Sequence, residues 1–388
     1  MIRLRPRLSQ ASNTRREAFW AWLFILPVTA GFFLFVLGPM LASLALSFTK
    51  WDLLSPAEWA GTNNWHSIFS ITVVHTPQAR DEAGGDLLFQ CGRHRNVPAS
   101  ELADWQQRND ERTGEPFDCR PGYPRDREVL PERFGVVSEI ALFGQRWLLG
   151  ARDHVLWIAL FNTVYMLLAV PVGMALALAV AIVLNQQLRG RNLLRAIFYL
   201  PNVLPIAATS VIWLWIFNPE FGILNHLLGS VGLPAEGRWL SDQGTVKPSL
   251  MIMGIWSALG FQMLIYLAAL QAVPSQLYEA AVIDGAGLWG RFRFVTWPSL
   301  SPTTFFLLVT GMIFGFQSFA QPYIMTRGGP GNASRTVVME IWKNGFADLE
   351  MGYASAQAWL LGVIILLITV ANFRLARRWV FYEHEQHV

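Results

Sequence analysis

Six stretches of this 388-residue chain contain no Asp, Glu, Lys or Arg: residues 18–48, 155–184, 196–218, 249–273, 303–326 and 351–373. Each is longer than the roughly 20 residues a helix needs to cross the hydrocarbon core of a bilayer. With 53% hydrophobic and 15% charged residues, the chain is too apolar for one soluble domain of ordinary make-up. Six such runs exclude buried helices of a soluble protein and give an all-α polytopic membrane protein.

The formal charge of +3 at pH 7 raises the question of nucleic acid, and its placement argues against it. Arg3, Arg5, Arg7, Arg15 and Arg16 precede the first run; Arg189, Arg191 and Arg195 lie between the second and third. Arg291 and Arg293 separate the fourth and fifth, and Arg374, Arg377 and Arg378 follow the sixth. A six-span topology puts these segments on one side, and the excess of arginine assigns that side, with both termini, to the cytoplasm. The first run exceeds a 7–15-residue signal-peptide core, so it reads as an uncleaved anchor. The expected organisation is a cytoplasmic segment 1–17, a first span 18–48 and an extracytoplasmic insertion 49–154. A core of five further spans follows over 155–373, with a cytoplasmic loop 274–302, and then a tail 374–388.

The insertion has a mixed, mildly acidic composition with Trp105, Phe117, Tyr123 and Phe134, which suits a small folded domain. Pro116, Pro121, Pro124 and Pro131 predict a loop-rich one. A small core needs a staple, and the only two cysteines, Cys91 and Cys119, both lie here. In an oxidising compartment they are expected to form a disulfide rather than remain two separate buried thiols.

Loop 274–302 is longer than a turn requires. Pro274 excludes helix before it, Ser275 is a candidate cap, and Leu277, Tyr278, Ala281 and Val282 share a helical face. Asp284-Gly285 is expected to end that helix, since glycine takes left-handed φ/ψ without strain. A further helical turn through Phe292, Phe294 and Val295 precedes Pro298 and Pro302. The apolar stripe either packs on its own membrane domain or docks into a soluble partner.

The residues of this loop resemble those of a known family. Glu279-Ala280-Ala281, Asp284-Gly285-Ala286, Phe292, Val295, Pro298, Leu300 and Pro302 are similar to the EAA loop of permease subunits of ATP-binding-cassette (ABC) importers for carbohydrates. Trp297 replaces the usual Leu before the proline and keeps a large apolar side chain. Gly61-Thr62-Asn63-Asn64-Trp65, Ala159–Thr163, Arg189-Gly190-Arg191 with Phe198–Pro201, Phe221–Asn225 and Thr326–Gly331 resemble further landmarks of that family. The resemblance implies the six-helix importer permease fold, in a bacterial cell membrane. It implies that Glu279, Ala280, Ala281, Asp284, Gly285 and Ala286 couple to a separate ATPase. The insertion lies where maltose-type permeases carry a domain that touches the soluble sugar-binding protein.

The chain has no energy source of its own that sequence can locate. Its lysines are Lys50, Lys247 and Lys343, none after a glycine, so there is no Walker A motif to hold ATP phosphates. Charges at mid-bilayer are costly and kept for function; the six runs have none, which disfavours an ion-coupled carrier. His384-Glu385-Gln386-His387 is not HExxH and reads as an exposed tail, and no nucleophile motif is present. The chain is therefore read as non-enzymatic and free of cofactors, with ATP and Mg held by partner ATPases. Two other readings stay open: a secondary carrier or channel for a small neutral solute, and a membrane-anchored binding subunit.

A sugar route needs aromatic faces, amides and hydroxyls. Asn162, Trp213, Trp215, Trp256, Gln262, Tyr266, Gln317, Ser318, Gln321 and Tyr323 are candidates, each also explicable as packing between helices. The resemblance to the maltose-type permease places Trp256 and Phe261 at one group of aromatic sugar contacts, and Phe314, Gly315 and Ser318 at another. It makes Trp256→Ala the expected loss-of-transport change. Gly315 and Ser318 stand where that permease has asparagines, which argues against maltose itself. The single coupling loop implies a second permease subunit, in a heterodimer by family precedent, on two ATPases with an extracytoplasmic sugar-binding protein.

Overall fold

The computed structural model describes residues 8–80, 85–108, 110, 114–124, 126–142, 145–234 and 236–381. The first residues of the N-terminal segment and the His384–His387 tail lie outside these. The chain divides into two compact units, one of residues 1–65 with 344–359 and one of 66–343 with 360–388.

The first unit begins with α1, Leu8–Phe32, and continues through a wider turn over Phe33–Leu37 into α2, Gly38–Leu46. In that turn the Gly38 N–H reaches Phe33 O, which opens the helix just ahead of Pro39. A proline ring otherwise crowds the carbonyl four residues back. A short hairpin, β1 (Thr49–Lys50) with β2 (Glu58–Trp59), leads to α3, Asn63–Phe69. Asn64 Nδ2 donates to Ser47 O and Thr49 O at 2.8 and 2.9 Å, so the Gly61–Trp65 segment locks the end of the first span.

In the second unit the insertion is built from strands. An antiparallel sheet is formed by β3 (Ile71–Pro77), β7 (Gly135–Leu142) and β8 (Gln145–Ala151), with β8 central and Ile71 opposite Ala151. A second sheet joins β4 (Leu88–Cys91), β5 (His94–Pro98) and β6 (Cys119–Pro121). Two short helices, α4 (Leu102–Gln107) and α5 (Asp126–Val129), fill the connections. Pro121, expected in a loop, instead ends an edge strand, as Pro98 does, where a missing N–H costs no ladder bond; Pro124 and Pro131 lie in loops as expected. Cys91 and Cys119 face each other across β4 and β6 and are disulfide-bonded.

The membrane helices follow. α6 (His154–Met166) is capped by Asp153, whose carboxylate accepts from the Leu156 N–H at 3.0 Å, and runs on into α7 (Ala169–Asn185). α8 (Arg191–Val203) and α9 (Ile206–Ile216) meet at 101°, so the 196–218 run is not a straight rod. The cause is local: Pro205 offers no N–H and holds Leu204 extended at ψ 139°. After α10 (Ile223–Ser230) comes α11 (Val246–Ala272). The loop helix α12 (Ser275–Ile283) and α13 (Leu288–Arg291) precede α14 (Trp297–Phe316), joined to α13 by another wide turn, Phe292–Thr296, ahead of Pro298. The helix that carries the fifth span therefore starts at Leu288, within the loop, and ends at Phe316, earlier at both ends than the 303–326 run. The polar pair Gln317-Ser318 breaks it, and α15 (Ala320–Thr326) is a separate short helix, followed by α16 (Val337–Trp342) and α17 (Met351–Ala376). Among the described residues five helices are long and apolar enough to cross a membrane, or six if the bent pair counts as one span.

The core of the bundle lies where Met174, Ala177, Leu178, Ala181 and Leu184 of α7 meet Met263, Tyr266, Leu267 and Leu270 of α11, closed by Leu300 and Leu307 of α14. Lipid offers these side chains no less apolar a setting, so close packing and polar contacts must hold the helices together. Gly260 lets α11 reach the backbone of α8: a Cβ there would collide with Phe198 O and Tyr199 Cα. Gly311 and Gly315, in G-x-x-x-G spacing on α14, admit Val170 and Leu167 in the same way.

Candidate functional site

Two places in the second unit carry chemistry: a cavity among the membrane helices, and the α12–α13 loop.

The cavity has a volume of about 390 Å³. α11 contributes Gly254, Ile255, Ala258, Phe261 and Gln262, one helical face at i, i+1, i+4, i+7 and i+8 spacing. α14 and the residues after it add Phe306, Thr310, Gly311, Phe314, Gly315, Ser318 and Gln321, while Val170, Gly173 and Asn202 close the far wall. Of the residues singled out from sequence, Phe261, Phe314, Gly315 and Ser318 thus come together. Trp256 does not line the cavity. It lies about 160° around α11 from Gly254 and Ala258 and packs edge-on against Trp213 at 5.6 Å between ring centroids. Asn202 was missed in the sequence, because the bend at Leu204-Pro205 that turns the end of α8 towards the cavity is not visible in an apolar run.

The walls are largely apolar with a few amides and hydroxyls, as suits a small-molecule site. Gln321 Nε2 donates to Leu250 O at 2.6 Å, which fixes its amide. Gln262 is buried, and its Oε1 has no hydrogen-bond partner among the described residues. Asn162, another candidate, does something else: its Nδ2 donates to Asn332 O (2.8 Å) and Arg335 O (3.1 Å), tying α6 to the loop before α16. In that loop Thr326–Gly331 forms the expected turn, with Arg327 in the left-handed region and Ser334 Oγ donating to Gly329 O at 2.6 Å.

In the α12–α13 loop, Pro274 occupies the cap position, so Ser275 is the first helical residue and the end has no side-chain cap bond. The other end is as expected: Gly285 has φ +78°, its N–H returns to Val282 O (3.0 Å), and the Ala286 N–H returns to Ala281 O (2.8 Å). Tyr278 turns inwards, its hydroxyl 3.1 Å from Thr296 Oγ1, which anchors α12 to the start of the fifth span. Glu279, Ala280 and Asp284 are exposed, and so are the apolar residues Val282, Ile283, Leu288 and Trp289, with Ile283 85% and Leu288 81% accessible. The helix therefore packs on its own domain through Tyr278 and presents a separate apolar ridge beside Asp284-Gly285.

The profile of the family described as "Binding-protein-dependent transport system inner membrane component" matches residues 169–380, more than half the chain and the part that holds both features. The chain belongs to that family. Among proteins similar to this permease is the probable ABC transporter permease protein YesP of Bacillus subtilis, 28% identical over 98% of this chain and 97% of its own length. The sn-glycerol-3-phosphate transport system permease protein UgpA of Yersinia enterocolitica is 32% identical over 65% of this chain and 83% of its own. Among solved structures, the fold is similar to a chain of a bacterial alginate ABC transporter in complex with an alginate pentasaccharide-bound periplasmic protein. That chain is 17% identical with a TM-score of 0.61, covering 96% of this chain and 98% of the other. The fold is thus that of an ABC importer permease, and the permease is a multi-pass membrane protein.

Proposed function

We propose that this permease is the membrane half of an ATP-driven importer for a sugar, an oligosaccharide or a related polyol. The observation that carries the reading is the exposed ridge Val282, Ile283, Leu288 and Trp289, which flanks the Glu279–Ala286 motif on a loop anchored by Tyr278 to the fifth span. Exposed apolar side chains beside fixed polar ones suit insertion into a cleft on another protein. The anchor passes movement of that protein to α14, which lines the cavity. The ATPase subunits hold ATP and Mg; this chain supplies Glu279, Ala280, Ala281, Asp284, Gly285 and Ala286 as the coupling surface. The loop and both termini are cytoplasmic, and the disulfide-closed insertion is extracytoplasmic, positioned to meet a sugar-binding protein. A second permease subunit, in a heterodimer, supplies the loop for the other ATPase.

Substrate would pass through the α11–α14 cavity, where Phe261 and Phe314 offer aromatic faces to sugar rings and Asn202, Gln262, Thr310, Ser318 and Gln321 offer hydrogen bonds. The relatives' names include sn-glycerol-3-phosphate and alginate transport, both of polyhydroxylated solutes. The test is reconstitution. The permease should co-purify with an ATPase and a second permease, and proteoliposomes should take up sugar only with ATP and the binding protein. Uptake by this chain alone under an ion gradient would refute the reading.

A further inference from the structure

We propose that the solute this permease admits carries an anionic group, and that Lys247 is the residue that selects it. The inference rests on the cavity being the solute route. Lys247 is in the first turn of α11, three and four residues before Leu250 and Met251, which both line the cavity. Residues at that spacing share a helix face, so Lys247 stands one turn, about 5.4 Å, beyond the cavity wall. Its ammonium is half-buried, 5.5 Å from the centroid of the Tyr165 ring, and donates to Asn162 Oδ1 at 3.3 Å. Asn162 likewise stands one turn before Met166, also a lining residue, so the charge lies about one helical turn outside the lining on both helices.

What this cation lacks is a counter-charge. Among the described residues no carboxylate is within ion-pair distance of it. Glu340 on α16 pairs with Arg335 at 2.7 Å, and Asp242, five residues before Lys247, accepts from the N–H groups of Gly244 and Thr245. Asn162, the one oxygen ligand, is itself held by the loop carbonyls that take its Nδ2, so the amide is fixed with its oxygen towards the lysine. A lysine that merely snorkels extends into water. This one is held over an aromatic ring by a positioned amide, with neutral groups as its contacts among the described residues, and a solute carboxylate or phosphate would complete its coordination. A neutral sugar leaves it uncompensated.

The test is equilibrium dialysis on the assembled transporter in nanodiscs, with two matched probe pairs. One is trigalacturonate and its carboxyl-reduced neutral trisaccharide; the other is glycerol 3-phosphate and glycerol. In the wild type the charged member of at least one pair should bind on the order of fivefold more tightly, the effect of one partly exposed ion pair. The pair with the larger ratio assigns carboxylate or phosphate. Lys247→Gln should bring that ratio to one without changing affinity for the neutral member, and Lys247→Arg should preserve it. A ratio of one in the wild type, or an unchanged ratio in Lys247→Gln, overturns the inference and leaves the cavity reading standing. Ser318→Leu should weaken all four probes; if it weakens none, the cavity reading itself fails.

Discussion

Replacing Gln262 with Leu separates stability from transport. The two side chains are close in volume, and the site is buried, so the exchange should disturb packing little. It removes a carbonyl oxygen that has no partner, and a buried unsatisfied polar group costs about 1–3 kcal/mol. The variant should therefore unfold at a higher temperature than the wild type when followed by tryptophan fluorescence in detergent. Gln262 also lines the cavity, where its amide would meet a solute hydroxyl. Losing one net hydrogen bond, about 0.5–1.5 kcal/mol, corresponds to roughly a 2- to 13-fold higher KM for uptake. Stability should rise while affinity falls. A variant that melts earlier, or that keeps the wild-type KM, would show that Gln262 serves helix packing and not the solute.

Other changes test separate links. Gly285→Val puts a β-branched residue at φ +78°, a left-handed conformation that costs an L-residue about 1–2 kcal/mol, and should lower solute-stimulated ATPase activity while leaving membrane insertion intact. Trp256→Ala, which the family resemblance would make a transport-null change, should keep its uptake KM and lose about 1 kcal/mol of stability from the Trp213 contact. Replacing Cys91 and Cys119 by Ser opens a loop spanning 28 residues; the chain-entropy relation gives about 3.6 kcal/mol. Limited proteolysis should then cut the insertion well before the helices. In the first sheet Arg146 is half enclosed with Glu139 and Asp126. Burial opposes its charge, but the two carboxylates outweigh this and raise its pKa above the ordinary guanidinium value. A raised pKa gives stability that is present below the unfolded value and lost only above it, so this group should add no pH dependence near neutrality. Arg146→Met should destabilise the insertion at pH 7, by roughly 1–2 kcal/mol after allowance for the exposed carboxylates.

The membrane character, the number of apolar runs and the glycine-ended helix of the Glu279–Ala286 loop were legible because each is written in contiguous residues. Charge-free length identifies a span, and Asp284-Gly285 identifies a helix end whatever surrounds it. Span boundaries were less legible. Pro298 and Pro302 read as breaks before the fifth span, yet a wide turn over Phe292–Thr296 carries the helix through them. Likewise the run 303–326 hides a break at Gln317, because uncharged polar residues do not interrupt a charge-free window. The cavity was legible only in part. Sequence spacing on α11 groups Gly254, Ala258 and Gln262, but that this face, and not the one bearing Trp256, lines a cavity with α14 is decided by tertiary packing that no local spacing encodes. The insertion's sheets were hidden in part by its prolines: Pro121 reads as a loop signal and lies at a strand end, while Pro124 and Pro131 do lie in loops.

The central claim is that work enters this permease through the ridge beside Gly285. Both native cysteines are in a disulfide, so Ile283→Cys supplies a single free thiol at its most exposed point. In membranes from cells expressing the whole transporter, a thiol-specific photo-crosslinker on that residue should join the permease to the ATPase subunit, and added ATP should change the yield. Labelling of the same thiol from outside intact cells by a membrane-impermeant maleimide, with no crosslink to the ATPase, would contradict the account.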